Sequence, residues 1–148
     1  MATATLATLK PAGKRRWMIA SLLGVGVIVN YFDRVILTVA VPAIQKDFAI
    51  DSLTVGLLLG AFGWTYGALQ IPVGLLLDRY GVRRVMTISI VLWALASFVT
   101  SAAIGVGSLF VARLLLGIAE APAFPANAKA VGYWFPRSER SFATAMFD

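Results

Sequence analysis

Long uncharged runs dominate the pattern of hydrophobic and polar positions along this chain. Residues 53–77 contain no charged side chain, and neither do residues 85–112. A transmembrane helix needs roughly 20 predominantly apolar residues, so both runs are long enough to cross a bilayer. The first run predicts one span. The second is interrupted by the sequence GVGS at residues 105–108, which predicts a tight turn between two spans.

Two further apolar runs contain isolated charges, and a last run is short. Residues 17–42 are long enough for a span, whereas the seven residues 141–147 cannot cross a bilayer. We therefore expect an all-α membrane protein with a tail at residues 1–16, whose sequence ends inside a fifth span that starts at residue 141. The four complete spans are expected over residues 17–42, 53–77, 85–104 and 109–131.

The composition supports a membrane protein and excludes several soluble classes. Hydrophobic residues make up 59% of the 148 residues and charged residues only 14%, whereas soluble domains contain about 25% charged residues. The chain has no cysteine, which excludes disulfides and thiolate metal sites. It has no histidine either, so proton chemistry must fall to carboxylates. We expect no enzymatic activity, no metal and no cofactor.

The basic residues predict the orientation of the spans. The net charge of +6 could indicate nucleic acid, but the basic residues are scattered between apolar runs. The tail and two connections contain nine of them, whereas the opposite side has only Lys46. Because cytoplasmic loops are rich in lysine and arginine, we expect a cytoplasmic N-terminus in an inner (plasma) membrane and no nucleic-acid partner. The nine are Lys10, Lys14, Arg15, Arg16, Arg79, Arg83, Arg84, Arg137 and Arg140.

Glycines recur along the second span at alternating spacings of four and three residues. On a helix this spacing makes one narrow face, and small residues let a neighbouring backbone approach closely. Two interpretations stay open, namely static packing and a smooth contact along which helices slide during alternating access. This face, the glycine seam, consists of Gly56, Gly60, Gly63, Gly67, Gln70 and Gly74.

Four charged residues lie inside predicted spans: Asp33, Arg34, Arg113 and Glu120. A charge at the centre of a spanning helix costs about 2.5–3.5 kcal/mol on insertion scales, so such residues usually have a function. One interpretation is a buried ion pair, Asp33 with Arg113 or Arg34 with Glu120, that only holds the helices together. In the functional interpretation, the carboxylates carry protons and the arginines bind the carboxylate of an anionic substrate.

Polar side chains of the first two spans are candidates for the same site. Tyr31 lies three residues before Arg34 and so close to its face, and Tyr66 shares a face of the second span with Gln70. A phenol in the middle of a span needs a hydrogen-bond partner, and a substrate hydroxyl is one candidate.

The fourth span contains two features that bear on Glu120. Pro122 and Pro125 follow this residue, remove backbone donors and should kink or break the helix. Irregular backbone at membrane depth is tolerated only against protein or a water-filled cavity, so we expect Glu120 to lie at a cavity. Lys129, near the cytoplasmic end of the span, is expected to extend to the membrane surface rather than to bind a partner.

Several motifs resemble a known family of transporters. The connection between the second and third spans has the sequence GLLLDRYGVRR at residues 74–84, which resembles the cytoplasmic loop signature of the major facilitator superfamily. NYFDR at residues 30–34, RLLLGIAEAPAFP at 113–125 and WFP at 134–136 are similar to the anion:cation symporter family, in particular its proton-coupled sugar-acid transporters. The loop signature consists of Gly74, Asp78, Arg79, Gly81, Arg83 and Arg84.

The resemblance implies a twelve-span fold, of which this chain is the N-terminal part, and proton-coupled symport of a small organic anion such as galactonate or glucarate. In such transporters a first-span aspartate and a fourth-span glutamate couple protons, and these positions are Asp33 and Glu120 here. The loop signature takes part in the conformational change, and the full-length protein is expected to be a monomer in the lipid bilayer. The matching substrate-site positions are Tyr31, Arg34, Tyr66 and Arg113.

Three functional hypotheses remain open at this stage. The first is symport of a sugar acid, with an aromatic or dicarboxylic acid as the alternative substrate. The second is export or antiport of another substrate class on the same fold, which the two intramembrane arginines disfavour for cationic drugs. The third is a membrane module without transport of its own, because four spans supply only part of a substrate cavity.

Overall fold

The computed structural model describes residues 13–147, which form six α-helices and one short 3-10 helix. Residues 1–12, most of the predicted tail, lie outside the described residues, as does Asp148. The elements are α1 (Arg15–Phe48), α2 (Ser52–Tyr80), α3 (Val82–Ser101), α4 (Val106–Glu120), α5 (Ala123–Trp134), the 3-10 helix (Arg137–Glu139) and α6 (Arg140–Ala145).

Four helical segments are long and apolar enough to cross a membrane: α1, α2, α3 and the α4–α5 segment, Val106–Trp134. Their number agrees with the four predicted spans, and the fold is all-α over the described residues. Helices form here because a bilayer offers no hydrogen-bond partner to the backbone, so each apolar run must satisfy its own polar groups.

The helices extend beyond the predicted spans. α1 continues through Pro42 to Phe48, because a proline in a membrane helix is tolerated when neighbouring groups satisfy the freed carbonyl. α4 begins at Val106, so the predicted four-residue turn at 105–108 is wrong. The Ser108 hydroxyl accepts the N–H of Gly105 at 3.1 Å, and this cap lets the helix start inside the GVGS sequence.

α2 starts at a side-chain cap. The carboxylate of Asp51 accepts the Thr54 backbone N–H at 2.9 Å and the Thr54 hydroxyl at 2.6 Å. The bond from the hydroxyl is the main cause that holds the pKa of Asp51 below its usual value, followed by the backbone bond. A carboxylate at this position also interacts favourably with the helix dipole, so the start of α2 is well defined.

α4 is the central helix of the described bundle. It packs against both α2 and α3. Half of the residues in the apolar stretch of the α4–α5 segment are buried, compared with 17% or less in the corresponding stretches of α1, α2 and α3. The buried residues of α4 include Arg113 and Glu120, so these two charges face protein rather than lipid.

The closest approach between helices involves Gly117 of α4 and not the glycine seam of α2. A Cβ atom at residue 117 would collide with the Phe62 carbonyl oxygen and the Thr65 hydroxyl on α2. Thr65 also donates a hydrogen bond to the Leu114 carbonyl oxygen at 3.0 Å, which fixes the contact. Most of the glycine seam, by contrast, leaves room for a side chain within residues 13–147. A Cβ atom would meet nothing within 4 Å at Gly56, Gly63, Gly67 or Gly74.

Candidate functional site

The structure separates the six residues predicted for substrate and protons into two groups. Asp33 and Arg113 line a cavity near the end of the bundle where α1 ends and α4 begins. The others lie together where α1, α2 and the end of α4 meet, and they form the arginine–glutamate cluster. This cluster consists of Tyr31, Arg34, Tyr66 and Glu120.

Glu120 is the buried centre of the arginine–glutamate cluster. It is the last residue of α4 and only 1% exposed. Its Oε2 lies 3.5 Å from Nε of Arg34 and accepts a hydrogen bond from Nδ2 of Asn30 at 2.6 Å. A buried carboxylate is tolerated when it is paired and hydrogen-bonded, and α1 supplies both partners. Of the two ion pairs considered from the sequence, Arg34 with Glu120 is the one that forms.

Three aromatic rings surround the guanidinium group of Arg34. Its Cζ lies 5.5 Å from the ring centre of Tyr31, 4.9 Å from that of Phe62 and 4.6 Å from that of Tyr66. These separations fall within the ~6 Å range of cation–π interactions. Phe62 and Tyr66 lie one turn apart on α2, and their stacked rings are 5.3 Å apart. The rings hold the guanidinium in place, and neither its Nε nor its Nη2 has a hydrogen-bond partner within residues 13–147, so donors of its fork remain for an anion.

Asp33 lies in a separate cavity of about 360 Å³ between α1, α3 and α4. Hydroxyl side chains near the end of α3 share the lining with Arg113. The indole N–H of Trp93 on α3 donates a hydrogen bond to Oδ2 of Asp33. Because a water molecule takes up about 30 Å³, this partly polar cavity is large enough for several waters around the carboxylate.

Arg113 is buried and has no ion-pair partner among the described residues. It is 4% exposed, no carboxylate of residues 13–147 lies within 4.0 Å of it, and its Nε lacks a hydrogen-bond partner. The pairing of Asp33 with Arg113 considered from the sequence is thus absent there. A buried charge without a partner is costly, so this arginine is suited to receive an anionic group.

The break after Glu120 agrees with the sequence prediction. α4 ends at this residue and α5 begins at Ala123, with Pro122 as its N-cap. The proline has no N–H to donate and its ring clashes with the preceding turn. The carbonyl oxygen of Ala119, near the end of α4, accepts a hydrogen bond from the Ser89 hydroxyl on α3. The break therefore places Glu120 at a helix end supported from α3.

The loop signature lies at the junction of α2 and α3. Gly81 has φ 81°, a conformation that favours glycine, and it forms the predicted turn. Lys129 of α5 forms an ion pair with Asp78 and donates to the Gly74 carbonyl oxygen at 3.2 Å. The expectation that Lys129 has no partner is wrong, because the break at residues 121–122 directs α5 back against α2. Exposed basic side chains complete the signature: Arg79, Arg83 and Arg84.

Three neutral side chains of the site were not identified from the sequence: Asn30, Phe62 and Trp93. The free-energy cost of burying a charge, which singled out the ionised residues, does not apply to them. Two weak signals were available. Phe62 is four residues before Tyr66 on the same helix face, and Asn30 is four residues before Arg34. Trp93 contacts Asp33 through tertiary packing alone, and no spacing in the sequence indicates that contact.

Comparisons with known proteins identify the family. The family model described as Major Facilitator Superfamily matches residues 23–148. The chain is 38% identical to the probable galactarate/D-glucarate transporter GudP of Bacillus subtilis (strain 168), covering 96% of this chain and 33% of that protein. It is 39% identical to the probable galactarate/D-glucarate transporter GarP of Escherichia coli (strain K12), with coverages of 90% and 31%.

A further relative is the D-galactonate transporter of Escherichia coli O6:H1, at 39% identity over 91% of this chain and 31% of that protein. The chain spans about a third of the length of the curated relatives it matches. The family match covers most of the chain, and the spans lie within or close to the matched range. The chain therefore belongs to the Major Facilitator Superfamily.

Proposed function

We propose that the whole protein is a secondary active transporter that carries a small organic anion into the cell together with protons. The observation that carries this proposal is the Arg34–Glu120 ion pair, buried among apolar helices and flanked by aromatic rings. The names of the relatives, which refer to galactarate, D-glucarate and D-galactonate, support a sugar acid as the substrate. The proton is the coupling ion, so transport requires no metal or cofactor.

Competition for Arg34 couples the substrate to the proton. While Glu120 is ionised, it neutralises the guanidinium at 3.5 Å. A proton on Glu120 removes this attraction and frees the guanidinium for the carboxylate of the substrate, which it can bind through two parallel hydrogen bonds. The substrate is then favoured in the protonated state of the protein, as symport requires. The phenols of Tyr31 and Tyr66, beside Arg34, bind substrate hydroxyls.

Asp33 and Arg113 form the second part of the mechanism. Arg113 offers a buried positive charge without an ion-pair partner in residues 13–147, which suits a second carboxylate of the substrate or another anionic group. Asp33 is the second proton carrier and exchanges protons with water in the 360 Å³ cavity. Two intramembrane arginines explain why an anion, and not a cationic drug, is the proposed substrate class.

The excess of basic residues supports an orientation in an inner (plasma) membrane with a cytoplasmic N-terminus. In this orientation the Asp33 cavity lies toward the outside and the loop signature toward the cytoplasm. The open glycine seam of α2 gives the rest of the protein a smooth surface for rocking motions, and the Asp78–Lys129 pair fixes the cytoplasmic end of α2 against α5. The functional unit is a monomer.

Uptake by proteoliposomes containing the whole protein tests this function. Labelled galactarate should accumulate under an inward proton gradient, and accumulation should collapse when a protonophore removes the gradient. Unlabelled D-glucarate and D-galactonate should compete, whereas an aromatic acid and a cationic drug should not. The 148-residue chain alone, as a control, should not transport. Uptake that does not depend on the proton gradient contradicts proton coupling. Competition with the labelled substrate by the aromatic acid alone contradicts the substrate class.

A further inference from the structure

Asn30 is a fully buried polar residue whose position the ion pair does not explain. It is 1% exposed and lies one helical turn before Arg34 on α1, so both side chains face Glu120. Its Nδ2 donates to Glu120 Oε2 at 2.6 Å. Within residues 13–147, this is the hydrogen bond that the Glu120 carboxylate accepts, whereas its contact with Arg34 Nε at 3.5 Å is an ion pair.

The Asn30–Glu120 contact leaves two buried acceptors without donors. Neither Asn30 Oδ1 nor Glu120 Oε1 has a hydrogen-bond partner in residues 13–147. An ionised carboxylate can only accept hydrogen bonds, and an amide oxygen can only accept as well, so the two atoms cannot satisfy each other. An unsatisfied buried acceptor is destabilising, so the ionised arrangement is incomplete.

One proton on Oε1 of Glu120 completes this arrangement. The new O–H can donate to Asn30 Oδ1 while Asn30 Nδ2 continues to donate to Oε2, which gives a cyclic acid–amide pair with two hydrogen bonds. Arg34 has only donors and keeps its charge, so its electrostatic attraction to Glu120 is lost once that residue is neutral. We propose that Asn30 is the positioning residue that holds protonated Glu120 in place while Arg34 is released to the substrate.

This inference rests on the proposed function, and the surroundings of Glu120 are consistent with it. The charged groups that act on Glu120 are Arg34 and Asp33 of α1 and Arg113 of α4. From α2, the titratable group beside them is Tyr66, which contacts Arg34. Arg34 and Arg113 have donors only, and Asp33 accepts a hydrogen bond from Trp93, whereas Asn30 is the amide in contact with the Glu120 carboxylate.

The test compares two activities of the whole protein in proteoliposomes, measured with labelled galactarate. Gradient-driven accumulation requires Glu120 to gain and lose its proton, whereas exchange of labelled for unlabelled substrate does not require net proton movement. For Asn30→Ala, the ratio of accumulation to exchange should fall about ten-fold, which corresponds to about 1.4 kcal/mol of lost stabilisation of protonated Glu120. Asn127→Ala is the matched control, because Asn127 is also buried but lies on α5. Its ratio should equal that of the wild type.

A double-substitution cycle separates positioning from general damage. In a Glu120→Gln background, accumulation is already lost, so exchange is the readout, and Asn30→Ala should leave it unchanged because no proton is left to position. If Asn30→Ala does not fold, Asn30→Leu keeps the volume without polar atoms and should give the same loss of ratio in the otherwise wild-type protein. A wild-type ratio in both Asn30 variants overturns this inference alone, as does a fall in exchange when Asn30→Ala is added to Glu120→Gln. A wild-type protein without gradient-driven accumulation overturns the proposed function and, with it, the inference.

Discussion

Arg34 is the residue at which the helices, the carboxylate and the proposed substrate meet. Its guanidinium contacts rings from α1 and α2 and pairs with Glu120 of α4. A lysine has the same charge but lacks the planar fork, which stacks on aromatic faces and binds a carboxylate through two parallel hydrogen bonds. The identity of the side chain, and not only its charge, therefore determines the affinity for an anion.

The substitution Arg34→Lys should raise the KM for uptake about ten-fold, which corresponds to about 1.4 kcal/mol of lost binding. The physical reason is the loss of one of two parallel hydrogen bonds to the carboxylate. Arg15→Lys, at the exposed start of the same helix, is the matched control and should leave the KM unchanged. Equal KM values for Arg34→Lys and the wild-type protein would contradict the assignment of Arg34 to the substrate.

The charged residues of the site could be predicted from the sequence, whereas their neutral partners could not. A charge inside an apolar run is visible without any structure because its insertion is costly, and this identified Asp33, Arg34, Arg113 and Glu120. The sequence left two ion-pair combinations open, because helix periodicity gives the face of a residue but not the rotation of one helix against another. Contacts such as Trp93 with Asp33 depend on that rotation.

At the scale of elements, the number of spans followed from the lengths of the apolar runs, but their packing did not. Glycine spacing indicated a smooth face on α2 for packing or for sliding, whereas the close α2–α4 contact is made by Gly117 of α4 against Phe62 and Thr65 of α2. A glycine permits the close approach of a neighbouring helix, but the spacing of glycines does not show whether a helix packs there. The prolines were a more reliable signal, since the missing N–H acts locally and breaks the fourth span at residues 121–122.

Gly117→Ala should destabilise the protein by about 1–3 kcal/mol, because the new Cβ must displace the backbone of α2 or α4. The effect is measured by thermal unfolding of the purified protein in detergent, with the loss of monomeric elution as the readout. Gly107→Ala is the matched control in the same helix, where a Cβ would meet nothing within 4 Å. A Gly117→Ala protein as stable as Gly107→Ala would show that α2 and α4 do not approach as described.

At the scale of the molecule, the described residues separate two ionisable sites on the two faces of α1. The arginine–glutamate cluster lies beside α2, and the Asp33 cavity lies between α1, α3 and α4. Neighbouring positions on a helix point about 100° apart, so Asp33 and Arg34 can serve different compartments of one bundle. This separation gives the proposed transporter one carboxylate that competes with the substrate for an arginine and one that exchanges protons with water.

Transport by the Glu120→Gln protein tests the coupling between proton and substrate most directly. The whole protein is reconstituted in proteoliposomes, and accumulation of labelled galactarate under an inward proton gradient is compared with exchange against unlabelled substrate. The account predicts that accumulation is lost while measurable exchange persists, because a neutral side chain leaves Arg34 free but cannot carry a proton. Accumulation by Glu120→Gln at the wild-type level would contradict the account.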